Sequence, residues 1–306
     1  MKKYIILADV TCDLSAQIRQ QFGIADYIQG HIHFSDDRDF HTTLDWSNIS
    51  REEFYKDLSN KKLEINTAPA SPEEYYETFC SYARQGYDIL SMSLSSKISS
   101  TFNVAKGAAD RVLQEYPDCR LYCFDSFKMS GAFGLLVMYA HRMQQDGKSM
   151  DEVIAWLEEH KHKVHQMGPI DDLIFVARRG RITMGKAIMG SFAGVKPMGD
   201  CTREGYVSVL TKVKGINKAL DLTVRYIDRI AVDIKNQYVL VSHSNRQEYA
   251  DRLKVMLEDA LQPKQVFVSD VFSGCGTNIG PGMLGVYFLG EELTEGLVAE
   301  KEMITE

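Results

Sequence analysis

The side chains best placed for chemistry are hydroxyls that lie between a predicted strand and the helix after it. Residues 93–101 hold five serines and a threonine, and Thr67 stands in a second such segment, residues 66–72. Hydroxyls and backbone N–H groups at a helix N-terminus donate hydrogen bonds to a negative group. No metal-ligand cluster adjoins these segments and the GxxxxGK[ST] phosphate loop is absent. The pattern therefore favours a carboxylate over a nucleotide, and predicts no metal site.

Further polar or glycine-rich segments also follow predicted strands. Asp9 comes directly after the first strand, where a place near a site and a structural hydrogen bond are equally good interpretations. Asp13 is predicted to cap the next helix, residues 14–22. Residues 273–282 contain four glycines and a proline. Such a segment indicates a tight, irregular backbone pressed against another segment or a ligand.

The elements that position these residues alternate between strand and helix through the first half. Residues 4–8 are an apolar run that acidic residues soon interrupt, which predicts a β-strand rather than a signal peptide. Ser71 and Glu74 form a capping box, with Pro72 at the first helical position. The alternation predicts a mostly parallel sheet with helices on both faces.

The pattern of the second half predicts a mixed α/β domain. We place the two domains at residues 1–148 and 149–306. The fold class is therefore α/β, with two α/β domains and the ligand held between them. In this half, helices are predicted for residues 149–165, 184–192, 216–233 and 246–260, and strands for residues 172–176, 195–198, 206–213, 238–242, 266–271 and 285–289.

Composition narrows the classes of protein that fit. The chain has 306 residues, 44% of them apolar and 25% charged, which is typical of a globular protein with a large core. The net charge of -7 argues against a nucleic-acid partner, which needs a clustered basic surface. The six cysteines have no paired metal-binding or CxxC spacing, which favours a reducing, cytoplasmic location. No apolar stretch is long enough to span a membrane, so any membrane contact would be peripheral and transient.

Several short motifs, taken in order, resemble the DegV family across nearly the whole chain. Each motif is weak alone, but their order and spacing make the combination specific. They are Asp9-x-Thr11-x-Asp13-Leu14, Thr67-x-x-x-Ser71-Pro72, Ser95-Ser96-x-Ile98-Ser99-x-Thr101-Phe102-x-x-Ala105, Phe124-Asp125-Ser126, Gly180-Arg181-Ile182, Lys196-Pro197 and Gly280-Pro281-Gly282.

The resemblance implies a two-domain α/β protein that binds one long-chain fatty acid and no other cofactor. In that family the protein is the lipid-binding subunit of a bacterial fatty acid kinase, active in phospholipid metabolism, and the ATP-using subunit is a separate protein. The resemblance also implies that the hydroxyls of Thr67, Ser96 and Ser99 meet the carboxylate of the ligand. The chain itself would then be a carrier and not an enzyme.

This chain departs from the family pattern at two positions that matter for the ligand. The family usually has His-x-Gly-Pro-Gly, where this chain has Asn278, and it tends to have Arg where Lys214 aligns. Asn keeps hydrogen-bond donors but carries no charge, whereas Lys keeps the charge but lacks the planar fork of Arg. Both residues are therefore candidate ligand contacts in a divergent member of the family.

Two other functions remain open from the residues alone. A serine hydrolase of lipid-like esters would use Ser95, Ser96 or Ser99, with His243 as its base, although the Gly-x-Ser-x-Gly elbow is absent. A protein that has lost its ligand and only binds a partner is the other alternative.

Three arginines follow the strand predicted at residues 172–176. Arg178 and Arg179 are candidate exposed residues for docking a kinase. Arg181 is expected to have a structural role, bridging a helix to a carboxylate.

Overall fold

Strands and helices alternate along the chain in a computed structural model, which describes residues 3–182 and 194–305. The strands are β1 (Tyr4–Asp9), β2 (Tyr27–Ile28), β3 (His31–Phe34), β4 (Asp39–His41), β5 (Ile65–Ala68), β6 (Asp88–Ser93), β7 (Leu121–Asp125), β8 (Val164–Met167), β9 (Val195–Cys201), β10 (Val207–Lys214), β11 (Tyr238–His243), β12 (Gln265–Asp270) and β13 (Leu284–Leu289). The helices are α1 (Ala16–Phe22), α2 (Arg51–Leu58), α3 (Pro72–Arg84), α4 (Thr101–Glu115), α5 (Ser130–Gln145), α6 (Met150–His160), α7 (Leu173–Arg178), α8 (Ile216–Ile230), α9 (Gln247–Leu261), α10 (Ser273–Ile279) and α11 (Val298–Thr305).

The sheet of the first half is parallel, as its alternating strands and helices predict. Its strand order is β2-β1-β6-β7, and each neighbouring pair runs in the same direction. Helices cover both of its faces, so β1 is apolar on both sides: Ile6, Leu7 and Ala8 are all buried. The α/β class and the parallel first sheet are confirmed.

The second half contains a mixed sheet of order β12-β11-β13-β8. Strands β11 and β12 are parallel, whereas β13 runs antiparallel to both of its neighbours. Two smaller antiparallel units complete the fold, the sheet β4-β3-β5 and the pair β10-β9. The predicted mixed α/β character of this half is confirmed.

Helix α5 lies between the two large sheets. A Cβ added to Gly131 would come within 2.2 Å of the ring of Tyr287 on β13, and one added to Gly134 within 2.3 Å of the carbonyl oxygen of Cys12. These two glycines therefore let one helix touch both halves of the chain. One core cluster runs from β1 through α5 to β11, so the hydrophobic core is continuous across residue 148. The division into domains 1–148 and 149–306 remains a prediction.

Several local predictions were wrong. Residues 173–176 belong to helix α7 and not to a strand, and Asp172 caps this helix by accepting a hydrogen bond from Phe175 N. A short apolar run fits either structure, and here Leu173, Val176 and Ala177 lie on one buried helical face. The helix predicted over residues 149–165 ends at His160, and residues 164–167 form β8.

The predicted role of Asp13 was also wrong. Helix α1 begins at Ala16, and the Asp13 carboxylate instead accepts hydrogen bonds from Ser130 Oγ at 2.6 Å and Phe272 N at 2.9 Å. Asp13 thus joins the two halves. Part of the glycine-rich segment is helical, since α10 occupies residues 273–279, and the close approach predicted for it occurs where Gly276 packs against Phe54.

The helix predicted at residues 184–192 lies outside the described residues. Within the part of the chain that is described, no helix is both long enough and apolar enough to cross a membrane.

Candidate functional site

A cavity of about 560 Å³ lies beyond the carboxyl ends of β1 and β6, the position where open α/β sheets bind ligands. Its volume lies within the range of small-molecule sites. Both halves of the chain contribute to its walls. Much of its lining is apolar, including Ile28, Leu94, Met129, Ile170, Val176 and Leu284.

Two aspartates at strand ends fix the serine-rich loop against this cavity. Asp9 Oδ2 accepts a hydrogen bond from Leu94 N at 2.9 Å, and Asp125 Oδ1 accepts one from Ser96 N at 3.2 Å. Ser95 Oγ donates to the carbonyl oxygen of Gly205 at 2.9 Å, which ties the loop to the β9–β10 turn. The loop is therefore positioned from three sides.

The hydroxyls of this loop lead into helix α4. Ser96, Ser99 and Thr101 all line the cavity, and the hydroxyls of Ser99 and Thr101 are 2.8 Å apart. Helix α4 has no side-chain cap at Ser100 and no acidic residue in its first turn. Its N-terminal N–H groups and dipole therefore favour a negative group at this end of the cavity.

Thr67 and Asn278 form a pair in the same cavity, contributed by β5 and α10. Asn278 Nδ2 donates a hydrogen bond to Thr67 Oγ1 at 3.1 Å. Because the threonine oxygen accepts this bond, its own O–H remains to donate to a ligand. The structure thus places four of the predicted site residues, Thr67, Ser96, Ser99 and Asn278, in the lining of one cavity.

Lys214 is the predicted site residue that lies elsewhere. It is an exposed residue at the end of β10, opposite Val195, and it is not among the described residues that line the cavity.

Charged side chains in the described lining are few: Asp9, Lys97 and Arg181. Burial raises the pKa of Asp9 to about 6, although hydrogen bonds from Thr11 and Leu94 act to lower it. Burial lowers the pKa of Arg181, and among the described residues its side chain contacts the carbonyl oxygen of Arg179 rather than a carboxylate. The carboxylate bridge expected for Arg181 therefore stays a prediction, and the structure adds a cation to the described cavity lining.

Within the described residues, His243 is not placed against the serines that it would activate in a hydrolase. His243 is buried outside the cavity lining, where its Nδ1 accepts a hydrogen bond from Arg246 N at 3.2 Å and its Nε2 lies 3.0 Å from Gln247 Oε1. Burial also lowers the pKa of His243. Among the described residues, His243 therefore has no serine to activate.

The two arginines considered for docking have different surroundings. Arg178 is exposed on α7. Arg179 is partly buried, and its Nη1 donates to the carbonyl oxygen of Ile65 at 2.7 Å. Arg178 and Arg179 were both expected to be exposed, and only Arg178 is.

Comparison with known sequences gives one family across almost the whole length. A family model described as "Uncharacterised protein, DegV family" matches residues 3–291. A DegV domain-containing protein of Clostridium perfringens is 31% identical over 291 residues, which cover 95% of this chain and 99% of that protein.

Solved structures share the fold at lower identity. A DegV family protein of Thermus thermophilus, described for its fatty acid binding, is 23% identical with a TM-score of 0.83, covering 95% of this chain and 100% of that one. The fatty acid kinase B3 protein of Streptococcus pneumoniae, loaded with linoleic acid, is 15% identical with a TM-score of 0.79, covering 94% of this chain and 100% of that one. At these identities the likeness shows the two-domain α/β fold.

Proposed function

Because the chain belongs to the DegV family, we propose that it is a carrier protein that holds one long-chain fatty acid in the cavity and catalyses no reaction itself. The observation that carries this proposal is the cavity itself, which combines apolar walls with a cluster of hydroxyl and amide donors. Fatty acids in the structures of relatives support the same ligand class.

The carboxylate lies, in this proposal, between the Thr67–Asn278 pair and the start of α4. A carboxylate removed from water must be hydrogen-bonded, because an unpaired buried charge is very costly. Thr67 can donate its O–H, and Ser96 and Ser99 supply two more hydroxyls on the facing loop. The exposed Lys214 is assigned no contact with the ligand.

The alkyl chain supplies most of the affinity. Burying about fifteen methylenes at about 0.8 kcal/mol each is worth about 12 kcal/mol in gross terms. The loss of ligand and side-chain freedom removes a large part of that gain. Loading such a ligand from a bilayer requires a transient, peripheral contact with the membrane.

We further propose that a separate ATP-dependent fatty acid kinase acts on the loaded protein in the cytoplasm. In that reaction a carboxylate oxygen bonds to the γ-phosphorus of ATP, and ADP leaves. The carboxylate must therefore be reachable from outside, which fits the partly exposed Ser96 and Ser99 at this end. Arg181, a partly exposed cation in the lining, offsets the charge that the acyl phosphate adds. The pneumococcal kinase-associated relative supports this partner.

Native mass spectrometry of the gently purified protein tests the ligand. We expect a mass increment equal to one fatty acid, which solvent extraction then identifies. A ligand-free mass, together with failure to take up added oleate and palmitate, would contradict the carrier function and favour a protein that only binds a partner.

A reconstituted reaction tests the kinase partnership separately. Fatty-acid-loaded protein, ATP and a bacterial fatty acid kinase should together release ADP and form an acyl phosphate, which hydroxylamine traps as a hydroxamate. Absence of both products, with the fatty acid still bound, would contradict the partnership and leave fatty-acid binding intact.

A further inference from the structure

Three potential metal ligands meet on the surface of the small sheet β4-β3-β5. His31, His41 and Glu74 each offer one ligand atom, and these atoms all lie within 4.8 Å of one another. It is the one such group of histidine, cysteine, aspartate or glutamate found within residues 3–182 and 194–305. None of the three belongs to the described lining of the cavity.

The fold, and not the local sequence, brings these residues together. Strands β3 and β4 are antiparallel, and His31 lies directly opposite His41. Side chains opposite each other in such a pair lie on the same face at close range. The two imidazole rings are accordingly 4.8 Å apart between centroids. Glu74 comes from the first turn of α3, which packs beside this pair.

The carboxylate of Glu74 is held in place by the chain. Glu74 Oε2 accepts hydrogen bonds from Ser71 N at 2.7 Å and from His31 Nε2 at 2.8 Å. Glu74 Oε1 faces His41 Nδ1 at 4.0 Å, too far for a hydrogen bond. The helix cap and the bond to His31 therefore account for the position of Glu74 Oε2. They do not account for Glu74 Oε1 and His41 Nδ1, which face each other without a hydrogen bond.

We propose that His31, His41 and Glu74 form a binding site for a divalent transition metal of the zinc class. Two imidazoles and one carboxylate are ligands that Zn²⁺ takes in tetrahedral sites, and the fourth position stays open to water or an anion. Bonds of about 2.0–2.2 Å place neighbouring ligand atoms about 3.4 Å apart in a tetrahedron. The present separations of up to 4.8 Å thus close by at most about 1.4 Å, which rotation of these partly exposed side chains allows.

Metal at this site would link the β3–β4 hairpin to α3. Gly30 and Thr42, the neighbours of His31 and His41 in the chain, line the cavity, as does Ala70 just before α3. The ion would therefore cross-link segments that form one cavity wall. The site is independent of the fatty acid and can be tested without it.

Zinc titration of the untagged full-length protein, stripped with EDTA, tests the proposal. We expect one Zn²⁺ per chain by competition with a chromogenic chelator, with a Kd on the order of 1 μM or tighter. Co²⁺ in its place should give the visible absorption of a tetrahedral ion. His41→Ala and His31→Gln should each weaken binding at least tenfold, because each removes one of only three protein ligands.

His33→Ala is the matched control. His33 lies on the same strand but pairs with Asp39 at 2.7 Å and is outside the cluster. We expect its variant to bind Zn²⁺ like the unchanged protein. Absence of saturable binding, or equal weakening in the His33 and His41 variants, would overturn the proposal and indicate adventitious binding by surface histidines.

Discussion

The helix starts at α3 and α6 differ from those at α4 and α5. At α3 and α6, Ser71 and Ser149 form complete capping boxes with Glu74 and Glu152, so the chain satisfies its own N-terminal N–H groups. At α4 and α5 the N-cap residue makes no side-chain hydrogen bond and the first turn holds no acidic residue, and at α4 only Thr101 N is bonded to a nearby hydroxyl, that of Ser99 at 3.3 Å. The first residues of both uncapped helices line the cavity.

This difference separates structural helix starts from ones that a ligand can use. A closed capping box has already paired its N–H groups with a fixed negative charge. The start of α4 keeps its remaining donors and its positive dipole for an external anion, whereas at the start of α5 the Ser130 hydroxyl already donates to the buried Asp13 carboxylate. We therefore expect changes at closed starts to alter stability alone, and changes at the open start of α4 to alter fatty-acid binding.

The largest effect that we expect is on the pH dependence of the free energy of unfolding, and it comes from Asp13 at the start of α5. Burial raises the pKa of Asp13, behind the start of α5, to about 7. The unfolded value is 3.8, so the folded state holds the proton more tightly. The contribution of Asp13 to the free energy of unfolding is fully present below about pH 4. It falls by on the order of 4 kcal/mol as the pH rises to about 7. Asp9, with its pKa raised to about 6, adds a smaller loss in the same direction.

Asp13→Asn should flatten this slope in urea unfolding measured from pH 4 to pH 8. The amide keeps an acceptor for Phe272 N and can donate to Ser130 Oγ. The titratable groups that interact with Asp13 remain unchanged, namely Cys12, Tyr55, Asp270, Cys275 and Tyr287. Glu152→Gln is the control. Backbone and side-chain hydrogen bonds from Ser149 lower the pKa of Glu152 to about 2, so its stabilisation is lost only as the pH falls below about 4.5. An unchanged slope in Asp13→Asn would contradict the assignment.

The second prediction concerns a negative charge added at the start of α4. Ser100→Asp adds a carboxylate at the start of α4, on the side of the cavity where the ligand carboxylate is proposed to lie. Two like charges near a protein surface repel by about 3 kcal/mol when they lie about 6 Å apart, so we expect Kd to rise by up to about 100-fold. Ser100→Asn is the matched variant, since it has the same shape without the charge and should bind within about threefold of the unchanged protein. Displacement of a fluorescent fatty acid measures both, and equal affinities for the two variants would refute the electrostatic argument.

The sequence predicted both segments of this site and several helix starts. Thr67, Ser96 and Ser99 stand in polar segments associated with strand ends, where ligands bind in open α/β sheets, whereas the family resemblance singled out Asn278. The capping box at Ser71 is a local pattern, and it is confirmed.

What the sequence could not predict depends on contacts between distant segments. Asp13 looked like a helix cap, but its partners are Ser130 and Phe272, more than a hundred residues away. Arg181 lines the cavity although its motif carries no signal for that position. The meeting of His31, His41 and Glu74 likewise depends on strand register and on a helix that follows later in the chain, which no local spacing reveals.

The third prediction concerns the donor opposite α4. Thr67→Val keeps the shape of the side chain but removes its hydroxyl, and it leaves Asn278 Nδ2 with only its longer hydrogen bond, to the carbonyl oxygen of Gly274 at 3.5 Å. A hydrogen bond to a charged group is worth about 1.5–3 kcal/mol, so we expect fatty-acid affinity to fall at least about tenfold. Thr211→Val on β10, outside the described cavity lining, is the control and should bind normally. Equal affinities for both variants would remove Thr67 from the site.

The smallest effect is expected at a closed helix start. Ser71→Ala removes the oxygen that accepts from Glu74 N at 3.2 Å, and loss of such a cap costs about 1 kcal/mol of unfolding free energy. Ser71 is not among the described residues that line the cavity, so the Kd for fatty acid should change by less than about twofold. Urea unfolding and fatty-acid displacement on the same preparation measure the two quantities. A fall in affinity as large as that of Thr67→Val would mean that α3 also serves the ligand, and the distinction between closed and open starts would fail.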